Sequence, residues 1–376
     1  MRVGVPKEVA PGEKRVALVA DSVKRLSSKK VDVSIETNAG TGSCITDDEY
    51  RAGGATIEPS AEALYAAADV VIRLRVPTLD AVERLREGTT LIVPLFPLQE
   101  QNRPLVRALA ARKVTTIAVD MIPRTTVAQM MDVLSSQATI AGYYAVLMAA
   151  GALPRFFPML MTAAGTIAPA RVLVLGAGVA GLQAIGAARR LGAVVEAFDV
   201  RRAVKEQVES LGARFVEVQS DEDAETAGGY AKETSEAYKQ RQAEVLARHV
   251  QKADVVISTA LIPGQRAPVL ITEEMVKSMR AGSVIVDLAA EQQGNCALTE
   301  PGKSVVHHGV SILGELDLPS RVAVHASQMY ARNMEKLLLH LCKDGAIHLD
   351  PENEITRGCL ITHAGAVVHP KVKERL

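Results

Sequence analysis

Val172-Leu173-Val174-Leu175 is an unbroken apolar run, and Gly176-Ala177-Gly178-Val179-Ala180-Gly181 follows it at once. A continuous apolar strand belongs in a sheet buried on both faces, and a G-x-G-x-x-G turn leading from it into a helix leaves few folds open. Gly176 permits the tight turn, Gly178 lets the backbone approach a pyrophosphate, and Gly181 lets the following helix, Leu182 to Leu191, pack closely on the strand. Free amides at the helix start, reinforced by its dipole, suit phosphate charge. The next predicted strand, Val194 to Phe198, ends at Asp199, whose carboxylate is placed to accept hydrogen bonds from an adenosine ribose and to repel a 2′-phosphate. Arg201 and Arg202 follow and are able to pair with such a phosphate; because Asp199 comes first, NAD is favoured over NADP. The glycines alone would equally fit a tight structural turn. Strand, helix, second strand and terminal acid together point to a dinucleotide.

The alternation extends along the chain. Further strands are predicted at 2–5, 31–35, 70–76, 90–93, 115–119, 214–218, 255–258, 283–287 and 310–313, with helical patterns between them. The expected fold class is α/β: two Rossmann-like doubly wound parallel-sheet domains, the first discontinuous, separated by a cleft that holds the NAD site. After residue 321 too little chain remains for a further core, so it is expected to return to the first domain. The expected boundaries are 1–131 plus 323–376 for the N-terminal α/β domain and 132–322 for the NAD-binding domain. Within the latter, 220–242 lacks an apolar stripe and carries Gly228-Gly229-Tyr230, which reads as a mobile loop closing Tyr230 over the nucleotide or as a solvated excursion. Strand 255–258 runs into Thr259-Ala260-Leu261 at the same sheet edge, where Leu261 can pack on the nicotinamide half or simply end the strand.

From Val133 to Pro154 there is no charged residue, long enough to test as a membrane span. Ser135, Ser136 and Gln137 open it and no basic cluster flanks it, so a long buried helix is expected, with Gly142, Ala149, Ala150 and Gly151 admitting a close neighbour. Its length without charge also suggests a homodimer interface. Forty-three basic residues balance 43 acidic ones and Trp is absent, which argues against a nucleic-acid partner. Four scattered cysteines and a start without a signal peptide suggest reduced thiols in the cytoplasm. The eight histidines show no ligand spacing, so no metal is expected.

The run Pro123-Arg124-Thr-Thr-Val-Ala-Gln129-Met-Met-Asp132-Val-Leu-Ser135-Ser136-Gln137 resembles the Arg–Gln–Asp loop of proton-translocating nicotinamide nucleotide transhydrogenase, in its NAD(H)-binding component. Met161-Thr-Ala-Ala-Gly-Thr, Thr226-Ala-Gly-Gly-Tyr-Ala-Lys-Glu, Leu261-Ile-Pro-Gly and Glu300-Pro-Gly-Lys resemble other stretches of that family, and the likeness covers nearly the whole chain. It implies hydride transfer between the component's own NAD(H) and NADP(H) on a partner subunit, while a membrane subunit moves protons. It also implies a peripheral place on the cytoplasmic face of the inner membrane, held there by those partners. By the resemblance, Arg124 and Asp132 orient the nicotinamide, Gln129 reaches toward the partner's nucleotide, and Ser135 bonds the carboxamide or ribose side. Leu134, Val179, Asp199, Val200, Arg201, Gly229, Tyr230, Gln242 and Leu261 would line the rest of the NAD site beside Gly176, Gly178 and Gly181. The chain looks like the separate-subunit arrangement or a truncated piece of a longer subunit.

Hydride passing between two nicotinamide rings needs no general base, only two rings held close in a water-poor site. Arg124, Gln129, Asp132 and Ser135 suit that positioning work; from the residues alone, Asp132 and Ser135 could equally cap a helix. The alternative is an alanine dehydrogenase, which the openings Pro6-Lys7-Glu8 and Arg15-Val16-Ala17 also resemble. That enzyme must move a proton and bind a carboxylate; Arg15 and Arg75 would suit the carboxylate, but no His occurs before His249. A redox-sensing NAD(H)-binding module is the non-enzymatic reading.

Overall fold

A computed structural model describes residues 1–218, 235–261, 266–343 and 345–376. It divides into two compact units, Met1–Gln137 with Ser320–Leu376, and Ala138–Pro319. Each is built on a mainly parallel sheet with helices on both faces, the α/β class expected from the strand–helix alternation.

In the first unit the parallel strands are β1 (Arg2–Val5), β2 (Asp32–Glu36), β3 (Thr56–Glu58), β4 (Val70–Ile72), β5 (Thr90–Val93) and β6 (Thr115–Ala118), in the order β6-β5-β4-β1-β2-β3. Leu360–His363 pairs antiparallel with β6, and Ala366–Val367 antiparallel with that, so the sheet is mixed rather than wholly parallel. Successive side chains sort to opposite faces. Val3, Val5, Ile35, Ile72 and Ile92 pack with Tyr330, Met334, Leu337 and Leu338 of the helix Ala323–Leu341. Val71, Leu91 and Val93 pack with Leu105, Leu109, Ile361 and Val372 on the other face. The C-terminal stretch therefore supplies core to both faces, each fully buried Leu or Ile worth roughly 1.5–3 kcal/mol.

The helix α1 spans Val133–Ala152. Gln137, inside it, accepts from Arg15 Nη1 at 2.9 Å and donates to the Ala326 carbonyl at 3.1 Å, both in the first unit. The division between units accordingly falls within α1 rather than ahead of it at residue 132. By length and composition α1 is apolar enough to cross a membrane. It is buried on one face only, a correction to the expected buried helix: Ile140, Ala145, Val146 and Ala149 are buried, while Leu134, Tyr143 and Leu147 are exposed. Gly142 does admit a close neighbour, since a Cβ there would lie 2.0 Å from the Ala180 carbonyl oxygen; a Cβ on Gly151 would meet nothing.

The second unit orders its strands β9-β8-β7-β10-β11-β13-β12, where β7 is Arg171–Leu175, β8 Val194–Phe198, β9 Arg214–Phe215, β10 Val255–Ser258, β11 Val284–Asp287, β12 Ser304–His307 and β13 Val310–Leu313. All are parallel except β12, an antiparallel edge strand that the pattern did not predict. Val172, Val174, Ile257 and Val286 face the alanine-rich surfaces of α1 and of α2 (Val179–Arg190). Leu173, Leu175, Val256 and Ile285 face α3 (Glu236–Val250). The expected loop 220–242 ends sooner than read: α3 begins at Glu236, because the Ser235 hydroxyl caps it by accepting from Tyr238 N. Strand order reverses between β7 and β10, the place where doubly wound sheets bind ligands.

Candidate functional site

Gly176 follows β7 with φ +98°, and a Cβ there would press on Thr259 Oγ1 at 2.6 Å. Gly181, in the first turn of α2, has the Gly176 carbonyl where its Cβ would stand, 1.8 Å away. Both glycines are thus required by packing. Gly178 is different: a Cβ on it would meet nothing within 4 Å, so the protein itself does not demand glycine there. It is the N-cap of α2 and lends no side-chain cap, whereas Ser60, Thr78 and Thr272 each cap their own helices through a hydroxyl. Open space over a helix start without a side-chain cap fits a phosphate-bearing ligand.

Asp199 stands beside this turn, accepting from Ala177 N at 2.7 Å. Arg201 folds back on it, donating from N and Nε to one carboxylate oxygen and from Nη2 to the other, each at 2.9 Å. The acid the sequence pointed to as the ribose acceptor is therefore already engaged, and a ribose diol would bind it by displacing the Arg201 guanidinium. Arg202 opens a short 3-10 turn, with its side chain exposed. Val179 and Leu261 are exposed apolar residues, at 42% and 44%, while Val200 is half-buried. Gln242 is in the buried set of α3 with Tyr238 and Leu246. Gly229 and Tyr230 lie outside the described residues.

A second layer escaped the sequence reading. Thr259 Oγ1 donates to the Gly176 carbonyl at 3.1 Å, joining the end of β10 to the glycine turn. Asp287, at the end of β11, is buried and accepts from Ser258 Oγ, Thr299 Oγ1 and the amides of Ala289, Asn295 and Cys296, at 2.7 to 3.0 Å. Asn295 then bonds the backbone of Ala260 and of Pro268, on either side of Leu261. The signal that could have found them is an acid and polar residues directly following apolar strands at the ligand end of the sheet.

In the first unit, Arg124, Gln129, Asp132 and Ser135 fall on one short stretch. The 3-10 turn Ala128–Met131 is pinned by buried Ala128 and Met131, leaving Gln129 exposed; Arg124 and Leu134 are also exposed. Asp132 caps α1, accepting from Ser135 N at 3.0 Å and from Ser135 Oγ at 2.6 Å. The capping alternative therefore describes these two side chains in the structure. Just upstream, burial pushes the Asp120 carboxyl up to about 6 despite amide bonds from Phe96 and Leu95. Arg15 and Arg75 share Glu13, at 2.6 and 2.8 Å. Burial raises the Glu13 carboxyl, but the hydrogen bond and charge of Arg15, with Arg75, outweigh it and hold the pKa below the usual value.

A cavity of ≈ 970 Å³ lies at the opposite, amino end of β7, β10 and β11, lined by Arg155, Arg171, Lys252, Asp254 and Arg280. Arg155, Lys252 and Arg280 sit just beyond the C-terminal ends of α1, α3 and the helix Glu273–Ser278, where cations offset helix dipoles. That accounts for the charge without a ligand.

Two family models match the chain: the alanine dehydrogenase/PNT N-terminal domain over residues 4–141 and the C-terminal domain over 145–370. The chain is 51% identical to the first of the separately encoded pieces of NAD(P) transhydrogenase subunit alpha from Rhodospirillum rubrum, covering 98% of each. The crystal structure of a transhydrogenase from Sinorhizobium meliloti is 44% identical, with TM-score 0.86 over 98% of this chain and 99% of that one. Alanine dehydrogenase of Mycolicibacterium smegmatis is more distant, 32% identical over 78% of this chain and 74% of its own.

Proposed function

The chain belongs to the alanine dehydrogenase/PNT family, and from that premise we propose that it is the NAD(H)-binding subunit of a proton-translocating NAD(P) transhydrogenase. It exchanges hydride directly between its own NAD(H) and NADP(H) on a partner subunit, and a membrane subunit couples that exchange to proton movement. The observation that carries the nucleotide reading is the open, uncapped start of α2 at Gly178, with Asp199 bonded to the same turn. NAD(H), when bound, supplies or accepts the hydride. The α2 amides hold the pyrophosphate, Asp199 takes the ribose hydroxyls, and Val179, Val200 and Leu261 give apolar contact. Arg124, Asp132 and Ser135 orient the nicotinamide, with Leu134 beside them, and Gln129 reaches toward the partner's nucleotide. No proton is abstracted, so no residue serves as a base.

Against the alanine dehydrogenase alternative stands the Glu13 pairing: Arg15 and Arg75 already hold an internal carboxylate. A homodimer is supported by apolar side chains exposed on the second unit, among them Tyr143, Leu147, Phe156, Met159 and Met161. The proposed location is the cytoplasmic face of the inner membrane, through the partner subunits.

Mixing the purified chain with NADH and an NADP(H)-loaded partner subunit, and following hydride transfer by absorbance, tests the whole reading. Reductive amination of pyruvate by the chain alone would replace it with the dehydrogenase. Two substitutions test the site. Gly178→Ala is expected to leave the melting temperature unchanged, since its methyl meets nothing, yet to weaken NADH about tenfold, ~1.4 kcal/mol, by holding off the pyrophosphate. Unchanged affinity by fluorescence titration would remove the α2 turn from the site. Tyr230→Phe is expected to weaken NADH by about threefold, the worth of one modest hydrogen bond, and an unaltered dissociation constant counts against a closing contact.

A further inference from the structure

We infer that Asn295 is a positioning residue for the nicotinamide half of the site, acting through the backbone that carries Leu261. The inference rests on the nucleotide reading given above. Asn295 is fully buried and its amide is used to capacity. Oδ1 accepts from Ala260 N at 3.0 Å, and Nδ2 donates to the Ala260 carbonyl at 2.9 Å and to the Pro268 carbonyl at 2.8 Å. One side chain thereby ties Ala260, which precedes Leu261, to Pro268 further along. Those partners also fix which way the amide points, because one of them is an N–H and two are carbonyls.

Asn295 is itself held rigidly. Gln293 and Gly294 both adopt left-handed backbone, φ 71° and 79°, turning the chain inward just before it. Its N–H donates to Asp287 Oδ2 at 2.8 Å, and its carbonyl accepts from the amides of Leu270 and Ile271. The adenosine half is anchored separately, by Gly176, Gly181 and Asp199. Hydrogen-bond capacity makes Asn specific here: Asp keeps the acceptor but offers no donor to the two carbonyls, and Ala loses all three bonds.

The test compares NADH with ADP-ribose, which lacks the nicotinamide, on the full chain by calorimetric titration. In Asn295→Ala, NADH is expected to bind about tenfold more weakly, as loss of bonds of this kind implies, with ADP-ribose within about twofold of wild type. Asn295→Asp, of the same shape, is expected to show the same split and serves if the alanine variant does not fold. A purely structural role would move both ligands together, and that outcome, or no change in either, overturns the inference. Failure of the unsubstituted chain to bind NADH would instead defeat the nucleotide reading itself, and the inference with it.

Discussion

Gln129→Asn is expected to slow hydride transfer to NADP(H) on the partner subunit by about 100-fold, with NADH affinity and melting temperature unchanged. The scale follows from positioning: a misplacement of about 1 Å can cost about 10²-fold when catalysis consists of holding two reactants in register. Gln129 is exposed, and the turn that carries it is fixed by the burial of Ala128 and Met131 and by the backbone bond from Gln129 N to the Thr125 carbonyl at 3.1 Å. Shortening its side chain therefore has no route to the fold. Stopped-flow absorbance with partner-bound NADP(H) separates the transfer step from binding. A variant that transfers hydride at the wild-type rate would strike Gln129 from the mechanism.

The second large effect concerns stability. Asp287→Ala is expected to cost about 4 kcal/mol, because Ser258, Thr299 and the amides of Ala289, Asn295 and Cys296 would all lose their acceptor at once, and each buried donor left unmade costs about 1–3 kcal/mol before relaxation. Urea titration followed by circular dichroism reads the loss as a lower midpoint. A shift worth under about 1 kcal/mol would mean that the three loops meeting at Asp287 hold together without it. Burial acts on the neighbourhood too: it pushes the adjoining Cys296 thiol up, so that thiol is an unreactive filler.

The nucleotide half was legible because its signals are local. An apolar run, three glycines and a terminal acid lie within one stretch, and β7, β8 and β10 run over the residues read as strands. Edge strands were harder. Thr56–Glu58, Ser304–His307 and the two C-terminal strands are short and half solvated, so their pattern is faint, and edge pairing depends on neighbours distant in sequence. The Arg201–Asp199 clasp, the shared Glu13 and the Asn295 ties are invisible for the same reason in sharper form. Each depends on which side chain reaches which atom, and nothing in the spacing of Asn295 and Ala260 announces their meeting. The loop from Arg124 to Ser135 was legible as a unit only through resemblance; its residues by themselves also spell a helix start, and Asp132 does cap α1.

Because the first unit draws its core from both ends of the polypeptide, its sheet lacks Tyr330, Met334, Leu337, Ile361 and Val372 until the last stretch has been synthesised. The intervening unit, Ala138–Pro319, is continuous and emerges whole from the ribosome first. Maturation thus runs against the usual amino-to-carboxyl order: the leading segment waits, half-dressed, while the middle one completes itself.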